Sequence, residues 1–256
     1  AGSTLSSFDA LQGGETLTLS GSGTSASANV ANGIAMSSNG NLALVDGTGL
    51  ASNYSLNSTV INITPRVLNS SGSKIYDANT DALAADITLS NLVSGETLNH
   101  SGTATISSAN TGNYTINNLT GITLADNTGT ASNYTLTGGT HNFTVNPKVV
   151  SIQGNKTYDG NTTISSGDIT SITDTVGAET LVISSGSGTV SSANAATYAS
   201  ADINEGTLTL GNGTNGGLAT NYSVTPGQTT TANLTAKALT ISGITSASKT
   251  YNGSTS

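Results

Sequence analysis

Lys156, Glu179 and Asn221 form a trio whose residue types could build a covalent bond without a cofactor. A desolvated lysine amine with a lowered pKa is a nucleophile, and a neighbouring acid can move its proton. The asparagine carboxamide would lose ammonia as an isopeptide cross-link forms. The plain alternative is a solvated lysine beside a turn. A second chemistry is divalent-cation binding. Asp77-x-Asn79-x-Asp81 has the oxygen spacing that opens an EF-type calcium loop. The loop lacks a glutamate at its twelfth position, and the corresponding stretches DGNTT and NGSTS lose the pattern. It therefore reads first as a turn. A third is glycosylation, since Asn53, Asn133 and Asn221 each open an Asn-Tyr-Ser/Thr triplet. A chain this rich in Asn, Ser and Thr makes such triplets by chance.

Nothing comparable supports catalysis. There are two histidines, His100 and His141, and they occupy unrelated sequence contexts. No G-x-S-x-G elbow, metal-binding histidine pair or phosphate loop appears. The expectation is a non-enzyme without a cofactor.

The composition points the same way. Charged residues make up 8% of the 256. In ordinary globular chains the share is about 25%. The net charge of −8 excludes the basic stripe that nucleic acid requires and disfavours anionic membrane surfaces. The chain has no cysteine and no apolar run of membrane-spanning length. Disorder is disfavoured by the scarcity of charge and the three prolines. Thr, Val and Ile suit strands, while Gly and Asn suit turns. The opening AGSTLSS shows no charged-then-apolar leader, so a fragment, a processed chain or an internal window is expected.

The rare residues recur in fixed slots. KIYDANT, KTYDGNT and KTYNGST place Lys74, Lys156 and Lys249 two residues before Tyr76, Tyr158 and Tyr251. Asp77, Asp159-Gly160 and Asn252-Gly253 follow. Arg66, Lys148 and Lys237 precede short apolar strands. Glu15, Glu96 and Glu179 sit in GETL, GETL and AETL, and Tyr54, Tyr134 and Tyr222 follow Asn in SNYSL, SNYTL and TNYSV. Tyr114 and Tyr198 follow SSANTGN and SSANAAT. Spacings of 80 to 88 residues between successive glutamates and between successive Asn-Tyr tyrosines suit a small sandwich domain. The expected organisation is a partial repeat over 1–65, complete repeats over 66–147 and 148–236, and the N-terminal strand of a further repeat over 237–256. The two partial pieces together make about one repeat in register. A window cut from a long tandem array explains this. So does strand donation, in which 237–256 of one chain completes the first repeat of the next.

Period-two alternation at Leu17/Leu19, Leu42/Leu44, Val150/Ile152, Leu181/Ile183 and Leu239/Ile241 predicts half-buried strands, joined by DGTG, DNTG and GNGTNGG turns. The fold class expected is all-β: small Ig-like sandwich modules stacked in tandem into a rod or fibre, with β-grasp-like modules as the alternative. The recurring tyrosines are expected to anchor small cores. The phrase lysine is expected to lie beside its strand with the amine in water. Asp-Gly and Asn-Gly supply a positive-φ turn, which Asp77-Ala78 should make less comfortably.

K-T-Y-D-G-N-T after a short apolar strand, with a tyrosine segment near the repeat end, resembles the YDG/MBG-type bacterial Ig-like repeats. The resemblance covers the chain as two full and two partial copies. Ala78 for Gly, Asn252 for Asp and the insertion near 211–217 depart from the pattern. Such repeats occur in large surface adhesins of Gram-negative bacteria. The resemblance therefore implies an extracellular, cell-surface segment forming a stalk or filament for adhesion and biofilm. Isopeptide bonds strengthen some Ig-like domains of that kind. The expected partners are neighbouring repeats or further copies, with host or matrix glycans as a rival reading in which exposed Tyr and Asn bind sugar. No nucleic acid and no membrane insertion are expected for this segment.

Overall fold

The structure, a computed structural model, describes residues 11–56, 60–224, 230–243 and 248–254. It is all-β, and the helical pieces among the described residues are three-residue 3-10 turns. The chain divides into two compact units. One comprises Ala1–Ser73, Thr80–Ser107 and Asn113–Thr144, and the other Lys74–Asn79, Ser108–Gly112 and Val145–Ser256. The division runs through the second sequence repeat rather than between repeats.

One sheet, most of whose residues belong to the first unit, follows the order Ile122–Ala125, Asn99–Ile106, Gly112–Asn118, His141–Asn146, Asn69–Ile75, Ile87–Ser90, with Asp81–Leu83 also pairing Asn99–Ile106. It approaches closure into a barrel. Ala82, Ile87, Ala104, Ile106, Ile116, Ile122, Phe143 and Val145 are the buried apolar residues of its strands, and Leu68 is buried just before Asn69–Ile75. Pairs such as Ala104 and Ile106 share a face because strand side chains alternate. Gly72 is required here, because a Cβ would lie 2.8 Å from the Phe143 ring. The first repeat adds a smaller sheet, Thr24–Ser25, Ala31–Ser38 and Val60–Ile63 in that order, and a pair formed by Leu17–Ser20 and Ala43–Asp46.

In the second unit, Ser151–Thr157 lies between Ile169–Thr173, antiparallel, and Thr231–Thr235, parallel; Ala196–Tyr198 pairs the far side of Thr231–Thr235. Ile164, Val190, Tyr198, Ala232 and Leu234 form its core cluster. The third repeat's first long strand runs parallel to its last. This sets the arrangement apart from the purely antiparallel sheets of an Ig sandwich. The alternation reading places Leu17, Val150, Ile152 and Leu181 inside, as expected. Leu239 and Ile241 differ: the described residues 237–243 form no strand. In the sister repeat, both strands that flank the corresponding segment lie downstream of it.

Candidate interaction site: a recurring joint between repeats

The phrase K-x-Y-[DN]-x-[NS]-T is a self-contained turn. Asp77 Oδ1 accepts the Asn79 N–H at 3.2 Å, and Asp159 Oδ1 accepts that of Asn161 at 3.1 Å. The lysine then curls over the turn it precedes. Lys74 Nζ lies 2.8 Å from Asp77 Oδ1 and donates to Asn79 O and Oδ1 at 2.8 and 2.7 Å. Lys156 Nζ lies 2.8 Å from Asp159 Oδ1 and reaches Asn161 Oδ1 and Thr163 O at 2.6 Å each. Lys249 makes the corresponding bond to Ser254 O at 2.9 Å although no strand flanks it among the described residues, so the turn is encoded locally. The amines of Lys74 and Lys156 are therefore not held out in water, contrary to the sequence expectation. Their side chains are 8% and 7% exposed. The ammonium satisfies the oxygens that the turn converges, and such charge-assisted bonds offset its removal from water. Beside Lys156, the Asp159 carboxyl titrates below its usual range, chiefly through the hydrogen bond from that amine.

The same curl occupies the turn's oxygens. Asp77 and Asn79, two of the three calcium candidates, give their oxygens to Lys74, whose ammonium fills the place of a cation. Asp81 stands at the start of the next strand. Among the described residues no cluster of three His, Asp or Glu side chains is arranged to hold a metal.

The second element is a tyrosine–glutamate clamp, present once in each repeat. Tyr54 donates to Glu15 at 2.6 Å, Tyr134 donates to Glu96, and Tyr222 donates to Glu179 at 2.7 Å. In each, the backbone N–H three residues before the glutamate donates to the tyrosine oxygen: Gln12 at 3.1 Å, Val93 at 3.1 Å and Val176 at 2.9 Å. The basic residues before the apolar strands, Arg66 and Lys148, pair in parallel with Tyr134 and Tyr222 and fix the height of each ring.

Two contacts join one repeat to the next. Tyr76, from the second repeat's phrase, donates to the second oxygen of Glu179 at 2.7 Å. It sets its ring against Tyr222, edge to face, with 5.3 Å between centroids. That is a favoured arrangement for an aromatic pair. Both rings are buried. Both hydroxyl pKa values are pushed up to about 12, first by burial and then by the Glu179 carboxylate that accepts their hydrogen bonds. Burial and a nearby negative charge each disfavour the phenolate. Beside this, Asn221 Oδ1 accepts Thr111 N–H at 2.9 Å and Asn221 Nδ2 donates to Asn110 Oδ1 at 2.9 Å. The same exchange joins the first and second repeats. Asn133 Oδ1 accepts Val30 N–H at 2.8 Å, and Asn133 Nδ2 donates to Asn29 Oδ1 at 2.9 Å. Each Ser-Ala-Asn loop is held by a serine turn. The hydroxyls of Ser27, Ser108 and Ser192 accept the N–H of Asn29, Asn110 and Asn194 at 3.0, 3.1 and 3.2 Å.

Lys156 is bonded within its own turn and has neither Glu179 nor Asn221, which sit together at the joint, among its partners, so the structure does not assemble the isopeptide trio. Asn221 is fully buried, which removes it as a glycan acceptor in the folded chain. Asn133 is half-buried and clasped, whereas Asn53 is exposed. His141 bridges Ser70 and the Leu136 carbonyl, and His100 faces the Ala84 and Ile87 carbonyls. Tyr76, Tyr134, Tyr198 and Tyr222 are buried as anchors, but Tyr158 and Tyr251 are exposed. Sequence reasoning alone does not single out Asn29, Asn110 and Asn194. Their signal is the tripeptide Ser-Ala-Asn, recurring at intervals of 81 and 84 residues.

Residues 62–142 match the YDG domain family. The match takes in the whole phrase K-I-Y-D-A-N-T, the Glu96–Tyr134 clamp and the Ser-Ala-Asn loop of the second repeat. It begins inside the last strand of the first repeat, Val60–Ile63. No curated protein and no solved structure matches the chain.

Proposed function

We propose that the chain is a structural segment of a bacterial cell-surface adhesin, in which YDG-type repeats follow one another as an extracellular stalk or filament. One observation carries this reading. The same asparagine exchange, between the same two sequence slots, joins the first repeat to the second and the second to the third. A contact encoded in every repeat, each copy holding one half towards its predecessor and one towards its successor, is what propagates an array. Charge is sparse, and no acid or histidine cluster converges among the described residues. A joint repeated in this way would serve mechanics and spacing.

The glycan-binding rival would use exposed tyrosines. Tyr158 and Tyr251 qualify by exposure, at 41% and 94%. Their sister Tyr76 occupies the same slot and is covered by the following repeat, which accounts for the slot without a sugar.

Small-angle X-ray scattering tests the reading. A stalk of three repeats, each about 40 Å long, would have a radius of gyration of ~35 Å. A value of ~18 Å, that of a compact particle of this length, would overturn it.

A further inference from the structure

The second and third repeats fill one place in their cores from different strands. Gly72 and Gly154 occupy the same slot, two residues before the phrase lysine. In the second repeat the Phe143 ring covers this glycine, 2.8 Å from where a Cβ would stand. In the third, a methyl of Ile164 covers it, 3.4 Å from the same point. Phe143 and Ile164 are not sisters. Phe143 lies three residues before Asn146, whose carbonyl accepts the Tyr76 N–H; three before the matching acceptor, Thr235, is Ala232. Ile164 lies two residues after Thr162, whose carbonyl accepts the Val190 N–H; two after its sister Thr80 is Ala82. All four are buried. The second repeat therefore combines small Ala82 with large Phe143, and the third combines large Ile164 with small Ala232.

A second pair of slots differs independently. Ser70 and His141 are buried together in the second repeat. His141 Nε2 donates to the Leu136 carbonyl at 2.8 Å, which leaves Nδ1 to accept the Ser70 hydroxyl at 2.9 Å. The corresponding residues of the third repeat, four before the phrase lysine and five before Thr235, are Ile152 and Thr230. Ile152 is completely buried and offers no side-chain hydrogen bond, and the Thr230 hydroxyl donates instead to buried Glu205 at 3.2 Å. Repeats of one fold can exchange equivalent strands, and such misassembly is a characteristic failure of tandem arrays. Here exchange is penalised both ways. The third repeat's last strand in the second repeat's core would leave Gly72 uncovered and take Thr230 from Glu205. The reverse needs a second chain, because only residues 147–150 separate Asn146 from Ser151 and a parallel neighbour needs a longer crossover. It would set Phe143 against Ile164 and His141 against Ile152. Cavities, overfilled cores and unpaired buried polar groups all destabilise.

We propose that these slots act as a matching code by which each repeat accepts its own last strand and rejects its neighbour's. Ala82 and Ser70 select the strand that carries Phe143 and His141. Ile164 and Ile152 select the strand that carries Ala232, with Thr230 just before it. All of these residues are buried inside their own repeats. Such a code serves any tandem array, so it goes beyond the stalk reading and holds independently of it.

Two measurements on the full 256-residue chain test it. Ile164→Ala and Ala232→Phe, made singly and together, convert the third repeat to the second repeat's scheme. Each alone should lower the urea midpoint. Together they should recover most of the loss, so that the unfolding constant changes at least about tenfold less than the product of the two single effects. Single effects that simply multiply, or a double variant that does not fold, overturn the code. The second measurement traps exchange directly. Asn233 pairs in register with Asn155, whose sister in the second repeat is Ser73. Both Ser73 and Asn233 are exposed, and the chain has no cysteine of its own. Ser73→Cys with Asn233→Cys should therefore form a disulfide when the third repeat's last strand settles in the second repeat. The disulfide is counted by peptide mass after unfolding and oxidative refolding, with the never-unfolded protein as background. It should be rare in the otherwise native chain. It should rise about tenfold when Ile164→Ala and Ala232→Phe are added, because the exchanged strand then carries the ring that covers Gly72. Equal trapping in the two backgrounds overturns the proposal.

Discussion

Asn53, Asn133 and Asn221 share one sequence slot and differ in what covers them, so one substitution made three times isolates the joint. Asn221→Ala removes a fully buried carboxamide. It deletes the bond to Asn110 and leaves the Thr111 N–H without its acceptor, while the Thr111 hydroxyl keeps Thr220 O at 2.7 Å. An unmade bond on a buried group costs roughly 1–3 kcal/mol. With the small cavity added, about 2–3 kcal/mol is expected. Asn133 makes the same two bonds but is half-buried. Water can replace part of its loss, so about 1 kcal/mol is expected. Asn53 is exposed and has no side-chain bond among the described residues. An exposed substitution of that kind changes stability by about 0.5 kcal/mol or less. Urea unfolding of the 256-residue chain, followed by circular dichroism and tyrosine fluorescence, reads all three. The order of loss should be Asn221, Asn133, Asn53. If Asn53→Ala cost as much as Asn221→Ala, the asparagine would be serving its own turn, and the joint would lose its main support.

Two further outcomes follow from the turn and the clamp. Ala78 holds φ +63° where Gly160 and Gly253 hold +84° and +68°. The left-handed region costs a non-glycine roughly 1–2 kcal/mol, and glycine returns part of that as unfolded-state entropy. Ala78→Gly should therefore stabilise by about 0.5–1 kcal/mol, raising the melting temperature by a few degrees, while Gly160→Ala should lower it; a fall with Ala78→Gly would refute the strain. The tyrosine pair gives a pH dependence. Tyr76 and Tyr222 ionise at about 12 in the fold. Unfolded, they ionise at ~10. The folded state thus keeps protons that the unfolded chain releases, and stability from this pair is complete below pH ~10 and lost as pH rises towards ~12. Urea midpoints measured across that window should fall, and Tyr76→Phe should make the fall shallower; an unchanged slope would show that the hydroxyls are not held by Glu179.

Much of the fold and the joint is legible in the sequence because the chain repeats itself while its chemistry is rare. Six basic residues and eight tyrosines in fixed slots locate the turn, the clamp and the repeat length. The discomfort of Asp77-Ala78 can be read directly, since only the backbone of Ala78 decides it. The lysine's position cannot. Lys74 and Lys156 look like strand-edge solvating residues until the turn's oxygens are seen to converge on them, and convergence is a three-dimensional property. The asparagines are hidden for a different reason. In a chain rich in Asn, an Asn-Tyr-Ser triplet and a Ser-Ala-Asn triplet carry no sign that they touch across more than a hundred residues. The direction of the last strand is likewise beyond reach, because alternation fixes which face is buried and is silent on whether a neighbour runs parallel.

The chemistry of the joint suits an array whose members must hold each other with little apolar surface. A chain with 8% charged residues cannot build surface ion-pair networks. Ion pairs at an exposed joint would also weaken with salt. A neutral tyrosine hydroxyl on a half-buried carboxylate is a charge-assisted bond carrying only one charge. The second ring packs edge-on against the first. Carboxamide exchange adds direction without any charge. The Ser-Ala-Asn asparagine sits on a serine turn, and its partner asparagine closes a 3-10 turn within its own repeat. Each half is therefore ordered before it meets the other, and little conformational entropy is left to lose on contact. Stability should then be shared between neighbours, with each added repeat strengthening the one before it more than its own small core could. A repeat with one face unmet should be the first to open.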